Sequence, residues 1–156
     1  MNDVLIFPHK LVRMERKHFE GLCRSAVLCS SELLKDSDFD WIPHRLLLEF
    51  MDTQIKRMDA FQPEQAQRTA AFLNETGPDE TVLFCCDSGV SRSSALAAAF
   101  IRSRNGDEME IWENPRFRPN PLVYRLLCES FGIKVTEREI EIRLSINENA
   151  FRIALQ

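Results

Sequence analysis

The sequence predicts an α/β fold: a single domain over residues 1–156 whose central, mostly parallel sheet of about four or five strands is flanked by helices. Three observations predict it. Short apolar runs of strand length recur along the chain, and helix-forming segments separate several of them. The clearest strand then passes through a tight polar turn directly into an Ala-rich helix. A chain of 156 residues suits one domain, and at that size it buries roughly 70% of its unfolded surface.

The elements follow in order. Val4-Leu5-Ile6-Phe7 reads as a strand stopped by Pro8. Residues 25–30 and 45–51 are two further apolar runs, the second closing at Asp52. Continuous runs of this kind fit strands buried on both faces. Gln62-Pro63-Glu64 opens a helix, with Ala66, Ala70, Phe72 and Leu73 among its apolar positions, and Gly77-Pro78 ends it. Thr81-Val82-Leu83-Phe84-Cys85 is β-branched or apolar at nearly every position, as a buried strand requires. Residues 94–101 are strong helix formers stopped by Asn105-Gly106. After Arg116-Phe117-Arg118-Pro119-Asn120-Pro121, a further helix presents Leu122, Val123, Leu126 and Leu127 on one face. The C-terminal extension, about residues 134–156, carries two patterns. Ile140, Ile142, Leu144 and Ile146 alternate as in a strand. Thr136 and Glu139 have the spacing of a capping box, and Ile140, Leu144, Phe151 and Leu155 form a helical stripe. Helix is the reading adopted.

Charge and cysteine content exclude several functions. Twenty Lys and Arg stand against 24 Asp and Glu, a net charge of −4. Such a chain lacks the basic footprint of a nucleic-acid binder. It has no apolar run of about 18 residues, so no membrane span is expected. The first ten residues lack the shape of a signal peptide. With five cysteines, an odd number, free thiols in a reducing cytoplasm are expected over a disulfide framework. His9, His18 and His44 are isolated and lack metal-ligand spacing, so they read as surface or packing residues, and no metal or cofactor is expected. Cys23, Cys29, Cys128, Trp41 and Trp112 read as packing residues, and residues 137–143 as a solvated face.

The chemistry lies in Cys86-Asp87-Ser88-Gly89-Val90-Ser91-Arg92-Ser93, between a strand and a helix. Gly89 can take backbone angles closed to other residues, so the amides of residues 87–92 can converge on one point. The helix N-terminus adds about half a positive charge there. The result is an anion cradle, with a nucleophile at its base whose thiolate form the same field favours. Arg92 offers a planar fork for two oxygens of a phosphate-like dianion, and Ser93 a hydrogen bond to a departing thiolate. The Asp87 charge would oppose a phosphate unless its side chain points away. Cys-(x)5-Arg alone is weak. Gly at the third position, Ser after the Arg, the strand before and the helix after make it specific.

This segment resembles the signature His-Cys-x-x-Gly-x-x-Arg-Ser/Thr of the cysteine-dependent protein tyrosine and dual-specificity phosphatases. Gly89-Val90-Ser91-Arg92-Ser93 looks most like the dual-specificity branch. The Ala-rich helix and Pro119-Asn120-Pro121-Leu122-Val123-Tyr124-Arg125 resemble its small bacterial members. The resemblance covers about residues 25–130 and is strongest at the signature. It implies metal-free hydrolysis of phosphotyrosine, and of phosphoserine or phosphothreonine, through a cysteinyl-phosphate. The expected partner is a phosphorylated protein or a small phosphomonoester. Cys85 stands where the family has His, a residue that organises the loop and tunes the thiol; Cys85 reads either as packing or as a redox partner.

The resemblance also implies an Asp on the loop after the preceding strand, acting as general acid. Asp52, 34 residues before Cys86, fits that place, and Asp59 is its rival. Strand ends in α/β folds deliver side chains to the site, which favours Asp52; a helix or turn cap is the alternative reading. Asn120 resembles the family residue that supports the signature loop, and it can equally cap the helix that follows. The loop has no Lys beside the nucleophile, unlike phosphoinositide-selective relatives. Two other functions are compatible with the motif: a phosphate-binding relative without turnover, or another thiol enzyme such as an arsenate reductase or sulfurtransferase, with Cys85 or Cys128 as resolving thiol.

Overall fold

The computed structural model describes residues 2–156. Four strands form one sheet: β1 (Val4–Pro8), β2 (Ser25–Ser30), β3 (His44–Glu49) and β4 (Val82–Cys86). All pairings are parallel, in the order β1-β4-β2-β3. The helices are α1 (His9–Met14), α2 (Arg16–Phe19), α3 (Pro63–Asn74), α4 (Arg92–Ser103), α5 (Met109–Trp112), α6 (Pro121–Ser130) and α7 (Glu137–Ala154), with a 3-10 turn at Asp36–Asp38. The expected α/β architecture is present, with four strands. The short elements α1, α2 and α5 lie in segments that the sequence pattern left unassigned.

Burial on both faces holds for only two strands. β2 and β4 sit centrally and are buried at every position. β1 and β3 are the sheet's edges and are mostly half-buried, because each has one neighbour and an open side. β3 also ends at Glu49 instead of Met51.

Alternation along the central strands makes two cores. Val27, Cys29, Val82, Phe84 and Cys86 point to one face. Ala26, Leu28, Leu83 and Cys85 point to the other, with Val12, Phe19, Phe39 and Ile42. The first face carries α4, whose residues 92–100 are all buried. Its run of alanines lets this helix lie deep between the sheet and α6.

Helix ends follow local rules. In α3, Gln62 and Gln65 form a capping box, with Pro63 in the first turn. In α7, Thr136 Oγ1 accepts from the Glu139 amide at 3.1 Å, and the Glu139 carboxylate accepts from the Thr136 amide at 2.9 Å. The apolar stripe expected for α7 is not what holds it. Of Ile140, Leu144, Phe151 and Leu155, only Ile140 is buried, and Leu144 and Leu155 are exposed. Polar anchors replace the stripe. Buried Asn147 donates to the carbonyls of Trp112 and Phe117 at 3.1 and 2.8 Å. Arg143 donates to buried Glu108 at 2.8 Å, and Arg102 bridges Tyr124 and Glu139. Residues 137–143 are therefore not simply a solvated face. A carboxylate buried like Glu108 requires cationic and hydroxyl donors around it, and α7 supplies one of them.

Phe84 is fully buried against Phe100, ring centroids 5.7 Å apart. Phe84→Ala should cost about 3–5 kcal/mol, read as a shift in the urea unfolding midpoint. A loss below about 1 kcal/mol would contradict this account of the core.

Candidate active site

β4 ends at Cys86 and α4 begins at Arg92, so residues 87–91 turn at the carboxyl ends of the strands. Gly89 has φ of +70°. A Cβ there would lie 2.8 Å from Pro8 Cδ and N, so glycine is required both by conformation and by space. Cys86 Sγ sits at the base of the turn. It accepts from the Gly89 amide at 3.2 Å and lies 3.1 Å from Ser93 Oγ.

The loop carbonyls are tied back to the protein. Val90 O accepts from Ser94 Oγ at 2.6 Å and from the Arg118 amide at 3.0 Å. Ser91 O accepts from Ser94 Oγ and from the Asn120 amide, both at 3.1 Å. Among the described residues, the amides of Ser88, Val90 and Ser91 meet no protein acceptor. Ser88, Val90 and Ser91 line an open cleft of about 780 Å3. Unpaired amides at a helix N-terminus suit an oxyanion.

Asp87 turns from this cleft onto four donors. Its Oδ1 accepts from Ser30 Oγ at 2.6 Å and His9 Nε2 at 2.8 Å. Its Oδ2 accepts from the Ser31 amide at 3.1 Å and Arg92 Nη2 at 2.7 Å. Burial opposes its charge, but the bonds from Ser30, Arg92, His9 and Ser31 prevail and hold the carboxyl well below the usual range. Arg92 is buried, and its Nη1 donates to Ser31 Oγ at 3.0 Å and Phe50 O at 2.8 Å. The Asp87 side chain is thus the counter-ion of Arg92, not a bare charge facing a ligand.

His9 is not isolated, contrary to its sequence spacing. β1 and β4 run parallel with Pro8 opposite Cys86. One residue further, His9 therefore stands beside Asp87. That adjacency follows from register and is invisible in one-dimensional spacing. His18 and His44 do pack, against Phe19 and Phe72 respectively.

Asp52 lines the cleft, beyond the end of β3. Its Oδ1 accepts from Ser91 Oγ at 2.9 Å and Asn120 Nδ2 at 2.8 Å. The rival Asp59 pairs with Arg57 instead and does not line the cleft. Asn120 caps α6, its Oδ1 accepting from the Leu122 and Val123 amides, while its Nδ2 donates to Asp52 and Thr53 O and its backbone amide, not its side chain, reaches the loop at Ser91 O.

The other thiols sit elsewhere. Cys85 points to the opposite face of the sheet from Cys86. Burial raises the thiols of Cys85 and Cys29 well above the ordinary value. It lifts Cys23 to about 11 and Cys128 to about 12. All four are buried free thiols, the setting of packing residues.

No family model matches the chain, and no curated protein matches it in sequence. Solved structures do match in fold. The crystal structure of DUSP15 aligns over 95% of this chain and 92% of its own, with 15% identity and a TM-score of 0.56. That of PTPMT1 aligns over 92% and 94%, with 18% identity and a TM-score of 0.55. A second PTPMT1 structure, in complex with PI(5)P, covers 90% and 94%, with 16% identity and a TM-score of 0.52. The chain has a dual-specificity-phosphatase-type fold. In this phosphatase-type fold the Cys86 loop occupies the carboxyl end of the central strand β4. No helix among the described residues is long and apolar enough to cross a membrane.

Asp87→Asn should lower stability at pH 7 by about 1 kcal/mol, because it removes the charge that faces buried Arg92 from a partly exposed position. The folded carboxyl lies below its unfolded value, so this contribution is full above about pH 4. It fades only as pH falls toward Asp87's own lowered value. Urea midpoints of both proteins across acid pH should therefore converge only in strong acid; equal midpoints at pH 7 would refute the role.

Proposed function

We propose that this chain is a cysteine-dependent phosphatase that hydrolyses phosphotyrosine, and also phosphoserine and phosphothreonine, through a cysteinyl-phosphate. The observation that carries the reading is the gathering of four side chains at one loop. Cys86 Sγ lies beneath a turn with unpaired amides and against Ser93, Arg92 opens the helix that follows, and Asp52 accepts from Ser91 Oγ in the same turn. The phosphatase-type fold supports the general class.

In the first step the Cys86 thiolate attacks phosphorus, forming an S–P bond as the P–O bond to the leaving group breaks. The amides of residues 87–92 and the Arg92 guanidinium hold the equatorial oxygens. Asp52 gives its proton to the departing oxygen. In the second step Asp52 takes a proton from water, whose oxygen attacks phosphorus. The S–P bond then breaks, inorganic phosphate leaves, and Ser93 stabilises the returning thiolate. No metal or cofactor takes part, and the reaction is assigned to the cytoplasm.

The substrate is a phosphoprotein or another phosphomonoester. One structure with this fold holds the phosphoinositide PI(5)P. Here no Lys stands beside the nucleophile, which favours phosphoprotein over lipid head groups.

A second reading rests on one contact. Arg92 Nη2 is held by Asp87 while Nη1 is held by Ser31 and Phe50. An Arg so occupied suits a phosphate-binding protein with weak turnover. Phenyl phosphate hydrolysis separates the two readings: Cys86→Ser should abolish it, and equal rates in both proteins would leave only binding. Asp52→Asn should slow phenyl phosphate turnover by about 10²–10⁴-fold while sparing esters with strongly acidic leaving groups. The same pattern in Asp59→Asn instead would overturn the choice of acid.

A further inference from the structure

The cleft over the Cys86 loop has a second wall made by α7. Ser145, Glu148 and Arg152 line it together with Ser88, Ser91 and Arg118. This wall is fixed to the loop and is not a loose tail. The Arg118 amide bonds Val90 O at 3.0 Å, and Asn147 ties α7 to the carbonyls of Trp112 and Phe117. A phenyl phosphate is far smaller than a cleft of about 780 Å3, so a ligand bound at the loop has room to reach α7.

Charge on this wall is unevenly paired. Arg118 lies over the Phe151 ring, 4.5 Å from its centroid, and its Nη2 donates to Glu148 at 2.6 Å. Arg152 is 74% exposed and meets the same carboxylate through Nε at 3.3 Å. One carboxylate thus serves two guanidiniums. Among the described residues, neither has another acceptor, although each guanidinium carries five N–H donors. Asp52 is the other acid in the cleft, and its Oδ1 is already engaged by Ser91 and Asn120. Exposed pairs such as Arg152–Glu148 are weak and readily exchanged for an incoming anion.

We infer that Arg118 and Arg152 form a second anion subsite, so that the favoured substrate is a phosphomonoester carrying another negative group beside the phosphate that is removed. The inference rests on the phosphatase reading of the Cys86 loop. Glu148 is the internal anion that such a substrate displaces or shares. An acidic side chain next to a phosphorylated residue supplies this chemistry, and so does a second phosphate on a sugar ring.

Binding to the full-length Cys86→Ser chain tests it. Two probe pairs distinguish the sources: a phosphotyrosine peptide flanked by Glu against the same peptide with Gln, and an inositol bisphosphate against the monophosphate. The matching pair should show about a three- to tenfold preference for the more anionic probe. Added Arg118→Gln and Arg152→Gln should bring that ratio near one, and Glu148→Gln should raise it. Ratios near one in the parent chain, or ratios unmoved by these substitutions, would overturn the subsite. If neither inorganic phosphate nor any probe binds, the phosphate-loop reading itself fails and the inference falls with it.

Discussion

The site depends on how closely Gly89 approaches the end of β1. No side chain fits between them, and the positive φ excludes most other residues. That contact presses the loop onto Pro8, in register with Cys86. Register then sets His9 beside Asp87, and Asp87 holds Arg92. The loop conformation, the counter-ion and the guanidinium therefore follow from one steric constraint between two neighbouring strands.

Two carboxylate–arginine knots, one partly exposed and one buried, do the remaining work. One is Asp87 with Arg92, inside the candidate site. The other is Glu108, which gathers Trp112, Tyr124 and Arg143 and so ties α5, α6 and α7 together. Such knots contribute modest net stability, yet losing one partner is costly, because the remaining charge is stranded. They fix position more than they add stability. The second knot is what turns a helix with a poor apolar stripe into a rigid wall of the cleft. The net charge of −4 conceals all of this, since the positive potential is assembled locally from a helix terminus and individual arginines.

The sheet was legible because buried strands carry continuous apolar stretches, as residues 26–29 and 82–85 do. The capping box at Thr136 was legible for a similar reason: its partner lies three residues away. The turn from Cys86 to Ser93 was legible because nucleophile, glycine and arginine share one short segment. Ion pairs distant in sequence were not legible. His9 with Asp87 spans 78 residues, and Arg143 with Glu108 spans 35. The alternating and helical patterns in residues 137–154 both described the composition, but polar anchors from Glu108 and Asn147 hold α7 in place.

The sequence by itself determined the elements that rest on local rules: strand hydrophobicity, helix capping, and a Cys-to-Arg turn requiring glycine. Strand order and register were decided only in the tertiary structure. They brought His9 to Asp87, while contacts between helices stood α7 beside the cleft. The physical reason is that charge pairing and proximity are properties of space. A parallel sheet brings the ends of all its strands to one edge, however far apart those ends lie along the chain.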